Sequence, residues 1–345
     1  MLATSVAITF LGLKFGGVYL ANSHNLTIGE MLWVAGIVGI IAMVTEALSV
    51  KGSDNLSVPL CVAFILHFMI SRFDSHLMVE NIQMTSGILL GIFIVIASYY
   101  LRFLDAGGAA VTFLLAVVVF GIGGWKFGIP ILTFFILSSL LSKLGKEQKK
   151  KLQRTFQKSG TRDAGQVIAN GGIAGVLVLL WNYQRHDVLF YLYLGALAAV
   201  TADTWGTEIG FFAKKLPRLI LNFKPVPQGT SGGITLLGTS AGFLGAIIIG
   251  ISGWLVNPDF KGWNYLVVIS LAGLLASFAD SFFGATIQAQ FQCPECRKIT
   301  EKTSHCNSVC TEHVSGWGWV NNDIVNIICA FFGVLFVALG VYFLS

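Results

Sequence analysis

Asp203, Glu208, Asp280 and Asp323 stand in polar strings that interrupt otherwise apolar sequence: Ala202-Asp203-Thr204-Trp205-Gly206-Thr207-Glu208, Ala279-Asp280-Ser281 and Asn321-Asn322-Asp323-Ile324-Val325-Asn326. A hard cation such as Mg2+ takes one or two protein carboxylates and completes its shell with phosphate oxygens and water. Four carboxylates are enough for one or two such ions. Asp203 and Glu208 are five residues apart, about 140° of offset on an unbroken helix, so both reach one ion only if the helix frays near Gly206 and Gly210. A fourth string, Gln228-Gly229-Thr230-Ser231-Gly232-Gly233, precedes an apolar run that starts near Ile234. Glycines let backbone approach a ligand, Thr and Ser offer hydroxyls, and the following helix N-terminus presents free N–H groups, which together describe an anion cradle. Lys214, Lys215, Arg218 and Lys224 just upstream are candidate neutralisers of phosphate charge. No Gly-x-x-x-x-Gly-Lys-Ser/Thr string is present, which excludes a P-loop. A single Asp or Asn at a helix end reads as a cap; several such strings turned to one face argue for a site.

Two further groups have weaker signals. Gln166 and Asn170 are four apart and share a helical face, where amides bond between helices or serve a ligand. Cys293-x2-Cys296-x9-Cys306-x3-Cys310, with His305 and His313 nearby, has the spacing of a structural zinc site. Cys293, Cys296, His305, Cys306 and Cys310 are the candidate ligands, with free thiols as the alternative.

The elements that must position these residues are membrane spans. Of 345 residues 55% are hydrophobic and only 11% charged, and apolar runs of 15–20 residues recur from end to end. This predicts an all-α polytopic membrane protein of about eleven transmembrane helices, some short or broken, near residues 1–20, 30–49, 56–71, 84–101, 109–124, 129–142, 164–182, 188–202, 233–252, 264–279 and 323–344. Charge at such depth costs on the order of 2.5–3.5 kcal/mol per group, which makes the polar strings expensive as decoration. With Met1 on the cytoplasmic side, seventeen basic residues fall in cytoplasmic loops against four outside, a positive-inside asymmetry. The net charge of +5 then needs no nucleic-acid partner. The run Lys149-Lys150-Lys151 reads as an orientation signal and a contact to anionic headgroups. In this topology the polar strings converge on the cytoplasmic face, with connecting loops at 143–163, 203–232 and 280–322. Asp54-Asn55, Asp105 and Arg162-Asp163 fall on the same side.

Several strings in order resemble the phytyl-phosphate kinase and transmembrane-protein-19-like integral membrane family, catalogued as domain of unknown function 92, over about residues 85–345. They are Phe134-Phe135-Ile136-Leu137-Ser138-Ser139, Gln166-Val167-Ile168-Ala169-Asn170-Gly171-Gly172, the run Ala202 to Gly210, Gln228 to Thr235, Asp280-Ser281 with Gly284-Ala285-Thr286-Ile287-Gln288, and Asn322-Asp323-x-Val325-Asn326. The resemblance implies phosphoryl transfer from a nucleoside triphosphate, CTP favoured, to a membrane-embedded prenyl monophosphate, giving the diphosphate. On that reading Asp203, Glu208 and Asp280 are catalytic, and with Asp323 they hold Mg2+. Asn170, Thr204, Lys214, Lys215, Arg218, Gln228 to Gly233, Asn322 and Asn326 bind substrate and nucleotide. Residues 1–75 lie outside this stretch and resemble the C-terminal tail of a phytol or dolichol kinase domain. Two other functions stay open: a cytidylyltransferase forming a CDP-lipid, and a transporter built on broken helices.

Overall fold

In a lipid core a peptide group has no water to bond to, so long apolar runs close their hydrogen bonds within helices. The computed structural model describes residues 2–16, 27–49, 54–70, 77–143, 161–260, 262–297, 299–306 and 309–344. Among them are eleven α-helices: α1 Leu2–Gly16, α2 Ile28–Leu48, α3 Asp54–Ile70, α4 Leu77–Tyr100, α5 Ala106–Ala116, α6 Gly124–Lys143, α7 Ala164–Gln184, α8 Val188–Gly210, α9 Leu236–Val256, α10 Trp263–Thr286 and α11 Asn322–Leu344. The expected number of helices is met. Eight of them, α2, α4 and α6 to α11, are long and apolar enough to cross a membrane, while α1, α3 and α5 are shorter. This is an all-α integral membrane protein. The basic run Lys149-Lys150-Lys151 and most of the expected loop 143–163 lie outside the described residues, as do Lys51, Arg72, Lys261 and Lys298.

Helix α8 is the axle of the bundle and packs against α6, α7, α9, α10 and α11. Its side chains from Phe190 to Ala202 are almost all buried, including Tyr191, Tyr193, Leu194 and Leu197. Small residues let α9 approach closely. A Cβ added at Gly242 would lie 2.6 Å from the Ala202 carbonyl oxygen, and one at Gly238 would lie 2.5 Å from that of Gly206.

This packing also corrects the expected helix ends. The spans read as 188–202 and 264–279 continue as helix to Gly210 and Thr286. The strings around Asp203, Glu208 and Asp280 are therefore helical rather than parts of loops 203–232 and 280–322. The cause is mostly tertiary packing: α9 covers the backbone at Ala202 and Gly206, Trp205 Nε1 donates to Ser138 Oγ of α6 at 3.2 Å, and Thr204 Oγ1 donates to the Val200 carbonyl at 2.7 Å.

After α5 the chain forms a π-helical turn, Val117–Ile122. A π turn widens the ladder and offsets its carbonyls. Gln83 Nε2 on α4 donates to two of them, Gly121 at 3.1 Å and Ile122 at 3.3 Å. The N-terminal helices join the rest through α2, which packs on α5 and whose Trp33 Nε1 donates to Thr85 Oγ1 on α4 at 3.0 Å.

Short strands make up the polar connections. β1 Arg218–Leu219 pairs antiparallel with β2 Gly233–Ile234. Between α10 and α11 lie β3 Gln290–Gln292, β4 Ile299–Thr300, β5 Ser304–His305, β6 Val309–Cys310 and β7 Glu312–Ser315, in a sheet of order β4-β3-β7 and a separate β5-β6 hairpin.

Candidate functional site

The C-terminal ends of α6, α8 and α10 meet the N-terminal ends of α7, α9 and α11 around one cavity of about 370 Å3. That is within the roughly 300–1,000 Å3 usual for small-molecule sites. Its wall takes Asp203, Thr204 and Glu208 from α8, Ser277, Asp280 and Ser281 from α10, Asn322 and Asn326 from α11, and Gln166 and Asn170 from α7. The loop Gln228 to Gly233 forms another side, and Glu301, next to β4, reaches in from the strand insert.

Within this wall the carboxyl groups of Asp203 and Asp280 come within hydrogen-bonding reach of each other, and Glu301 is near enough for its charge to act on Asp280. Asp280 Oδ1 is buried with no hydrogen-bond partner among the described residues. Like charges held together at a buried edge are costly unless a cation or a shared proton compensates. A divalent cation therefore suits this pair. Glu208 is turned elsewhere: because α8 stays helical, the 140° offset persists, and Glu208 Oε1 accepts from Ser142 Oγ of α6 at 2.9 Å. Asp323 lies in the first turn of α11, outside the cavity wall. The four-carboxylate cluster expected from the sequence is thus a pair, Asp203 and Asp280, with Glu208 on a different side of the same cavity.

The glycine loop is shaped by contact. Gly232 has φ +77°, and a Cβ there would lie 2.4 Å from the Ala285 Cβ and 2.5 Å from the Ser281 carbonyl oxygen. Only glycine gives both the left-handed backbone and that approach to α10. The Ser231 hydroxyl lies between Gln288 Oε1 at 2.9 Å and Glu301 Oε1 at 3.2 Å, while Thr230 Oγ1 donates to the Pro227 carbonyl at 2.8 Å.

A profile of the family described as Integral membrane protein DUF92 matches residues 89–334. The chain belongs to that family. It is 31% identical over 265 residues to Protein PGR of Arabidopsis thaliana, covering 70% of this chain and 90% of that protein. It is 35% identical over 213 residues to Uncharacterized membrane protein MJ0933 of Methanocaldococcus jannaschii, 61% of this chain and 82% of that one. Protein VTE6, chloroplastic, of Arabidopsis thaliana is 26% identical over 234 residues, covering 65% of this chain and 61% of its own length. No solved structure matches the chain.

The matched DUF92 region contains the whole cavity, since its wall runs from Arg102 to Asn326. Of the basic residues expected to serve it, Lys214, Lys215 and Arg218 are outside the wall and exposed. Arg218 is held in β1, where its guanidinium donates to the Phe223 carbonyl at 2.9 Å. The cations that do line the cavity are Arg102, Lys143 and Arg162. In the sequence all three read as orientation charges, and nothing in their spacing marks them apart. Arg162 is fixed by its backbone, whose N–H donates to the Phe103 carbonyl at 2.9 Å and whose carbonyl accepts from Asp105 N–H at 3.1 Å. Its guanidinium lies 5.7 Å from the Phe134 ring centroid and 6.0 Å from that of Phe135, within cation–π range. Burial draws Arg162 down to about 10, so it stays cationic at neutral pH. Asp105 and Asp163 act as caps, accepting from Gly108 N–H at 2.7 Å and Gln166 N–H at 2.9 Å. Asn55, near the start of α3, is exposed.

In the strand insert, ligand atoms of Cys293, Cys296, His305 and Cys306 lie within 4.8 Å of one another. Cys310 sits opposite Ser304 in the β5-β6 ladder and is outside that group.

Proposed function

We propose that this protein is a membrane-embedded prenyl-phosphate kinase, moving the terminal phosphoryl group of a nucleoside triphosphate, CTP favoured, to a prenyl monophosphate. One observation carries the reading: the polar cavity adjoins a narrow apolar cleft of about 60 Å3, and the two share Arg162, Gln166 and Asn170. The cleft is walled by Ile94 of α4, Leu115 of α5, Val119 of the π turn, and Ile131, Phe134 and Phe135 of α6. A lipid with a phosphate headgroup has this division of chemistry. Its tail suits the apolar cleft and its headgroup suits the cation and amides at the junction. Membership of DUF92 and the likeness to Protein VTE6, chloroplastic, support an assignment of this kind.

Phosphoryl transfer asks for positioning and charge neutralisation more than for covalent help. Asp203 and Asp280 would hold Mg2+, and that ion, when bound, neutralises charge on the nucleotide phosphates. The Gly229 to Gly233 backbone cradles phosphate oxygens, while Asn322 and Asn326 offer amides to the nucleotide. Arg162, with Gln166 and Asn170, orients the acceptor phosphate. That phosphate is already anionic at neutral pH, so its oxygen attacks the terminal phosphorus and the bond to the bridging oxygen breaks. Lipid diphosphate and nucleoside diphosphate leave, and no base is needed. The excess of basic residues in the loops at this end of the bundle supports a cytoplasmic site.

Product identity tests the proposal. Purified protein given Mg2+, labelled nucleotides and a panel of prenyl alcohols and phosphates should release CDP and the prenyl diphosphate. Release of pyrophosphate with a CDP-lipid would assign it to cytidylyl transfer instead, and vesicle uptake without nucleotide turnover would make it a transporter.

A further inference from the structure

The strand insert is built like a metal-held pair of hairpins. Cys293 and Cys296 lie in the connection between β3 and β4, while His305 ends β5 and Cys306 follows it directly. His305 Nδ1 lies 3.4 Å from Cys296 Sγ and 3.2 Å from Cys306 Sγ. A tetrahedral zinc ion with ordinary bonds to sulfur and nitrogen spaces its ligand atoms by roughly 3.6–3.8 Å, so small adjustments suffice. Arg297, just after Cys296, has φ 56°, and Cys306 has φ 43°, left-handed conformations that are uncommon for non-glycine residues. The Arg297 N–H donates to the Cys293 carbonyl at 2.8 Å and closes the turn that carries Cys293 and Cys296. Three thiols and an imidazole gathered from two hairpins have no hydrophobic reason to meet, because only Cys293 is buried.

We infer that Cys293, Cys296, His305 and Cys306 bind one structural zinc ion, with Cys310 excluded. The ion ties the tips of both hairpins. The base of the first hairpin carries Gln288 before β3 and Glu301 after β4, the two residues that flank the Ser231 hydroxyl. Metal at the tip therefore braces the glycine loop from outside the bundle. Zinc binding itself does not depend on the kinase reading, and its test reads metal rather than turnover.

Metal analysis of the full chain, purified in detergent without chelator, should give close to one zinc per chain. Cobalt exchanged into the site should show thiolate-to-cobalt charge transfer. Cys293→Ser and Cys306→Ser should each lower zinc affinity at least tenfold, and Cys310→Ser should leave content and spectrum unchanged. Chelation should speed hydrogen exchange at residues 228–233 while α8 to α10 stay protected. Metal-free protein that takes up neither zinc nor cobalt would overturn the site, whatever the variants do. Loss of zinc in Cys310→Ser equal to that in Cys306→Ser would overturn the ligand set. Unchanged exchange at 228–233 would overturn the brace.

Discussion

The two ends of α8 both carry polar groups, and the bundle disposes of them in opposite ways. Near its start, Tyr193 donates its hydroxyl to the Phe127 carbonyl deep in a cluster of Phe127, Trp181 and Phe190. Lys126 lies 3.8 Å from Asp187 and 4.8 Å from the Phe190 ring centroid. Asp187 is largely exposed, so that ion pair adds little stability. At the far end Asp203 faces a second carboxyl, Asp280, beside open volume. A polar residue in a helical bundle is structural where a neighbouring helix brings its complement and closes the space. It belongs to a site where the neighbour brings like charge and leaves the space open.

The comparison predicts separable losses. The largest belongs to the aspartate pair: Asp203→Asn and Asp280→Asn should each cut turnover by about 10²–10³-fold, the scale of one lost electrostatic group in an active site. The double variant should be little worse than either single one, because the two act as a unit. Multiplying effects would break the pair into independent roles. Next comes Arg162→Gln, expected to raise KM for the prenyl phosphate about tenfold, the scale of one charge-assisted hydrogen bond. KM for nucleotide should hold, and Arg162→Lys should recover only part, since a point charge lacks the guanidinium fork. Tyr193→Phe sharpens the contrast from the structural end. It should lower stability in detergent by about 0.5–1.5 kcal/mol by removing the buried hydrogen bond to the Phe127 carbonyl, with turnover per folded molecule unchanged. Lys214→Ala and Lys215→Ala should change activity roughly twofold or less, as expected of exposed charges outside the cavity. A larger drop would restore them to the phosphate site.

Much of this arrangement is legible in the chain itself. Helical number and the clustering of polar strings at one end follow from hydropathy and loop charge. Gly232 and its neighbours announce themselves through composition. What composition cannot reveal is side-chain direction on helices that continue past their apolar portion. Asp203 and Glu208 invite a frayed helix, but Gly238 and Gly242 of α9 seal the backbone there, so the two carboxylates diverge. Arg162 looks like any orientation charge until the backbone of Phe103 and Asp105 pins it near Phe134 and Phe135. Glu301 sits far along the sequence in a cysteine-bearing insert and reaches the cavity only because β3 and β4 fold it back. Such placements depend on long-range packing, which no local pattern encodes.

The central claim is that Asp203 and Asp280 form a divalent-cation site for a nucleotide. Calorimetric titration of CTP into the purified protein, with and without Mg2+, tests it without relying on turnover. Wild type should bind saturably only with Mg2+, and Asp280→Asn, with unchanged thermal unfolding, should bind at least about tenfold more weakly. Equal affinity in the variant, or binding that ignores Mg2+, would contradict the account.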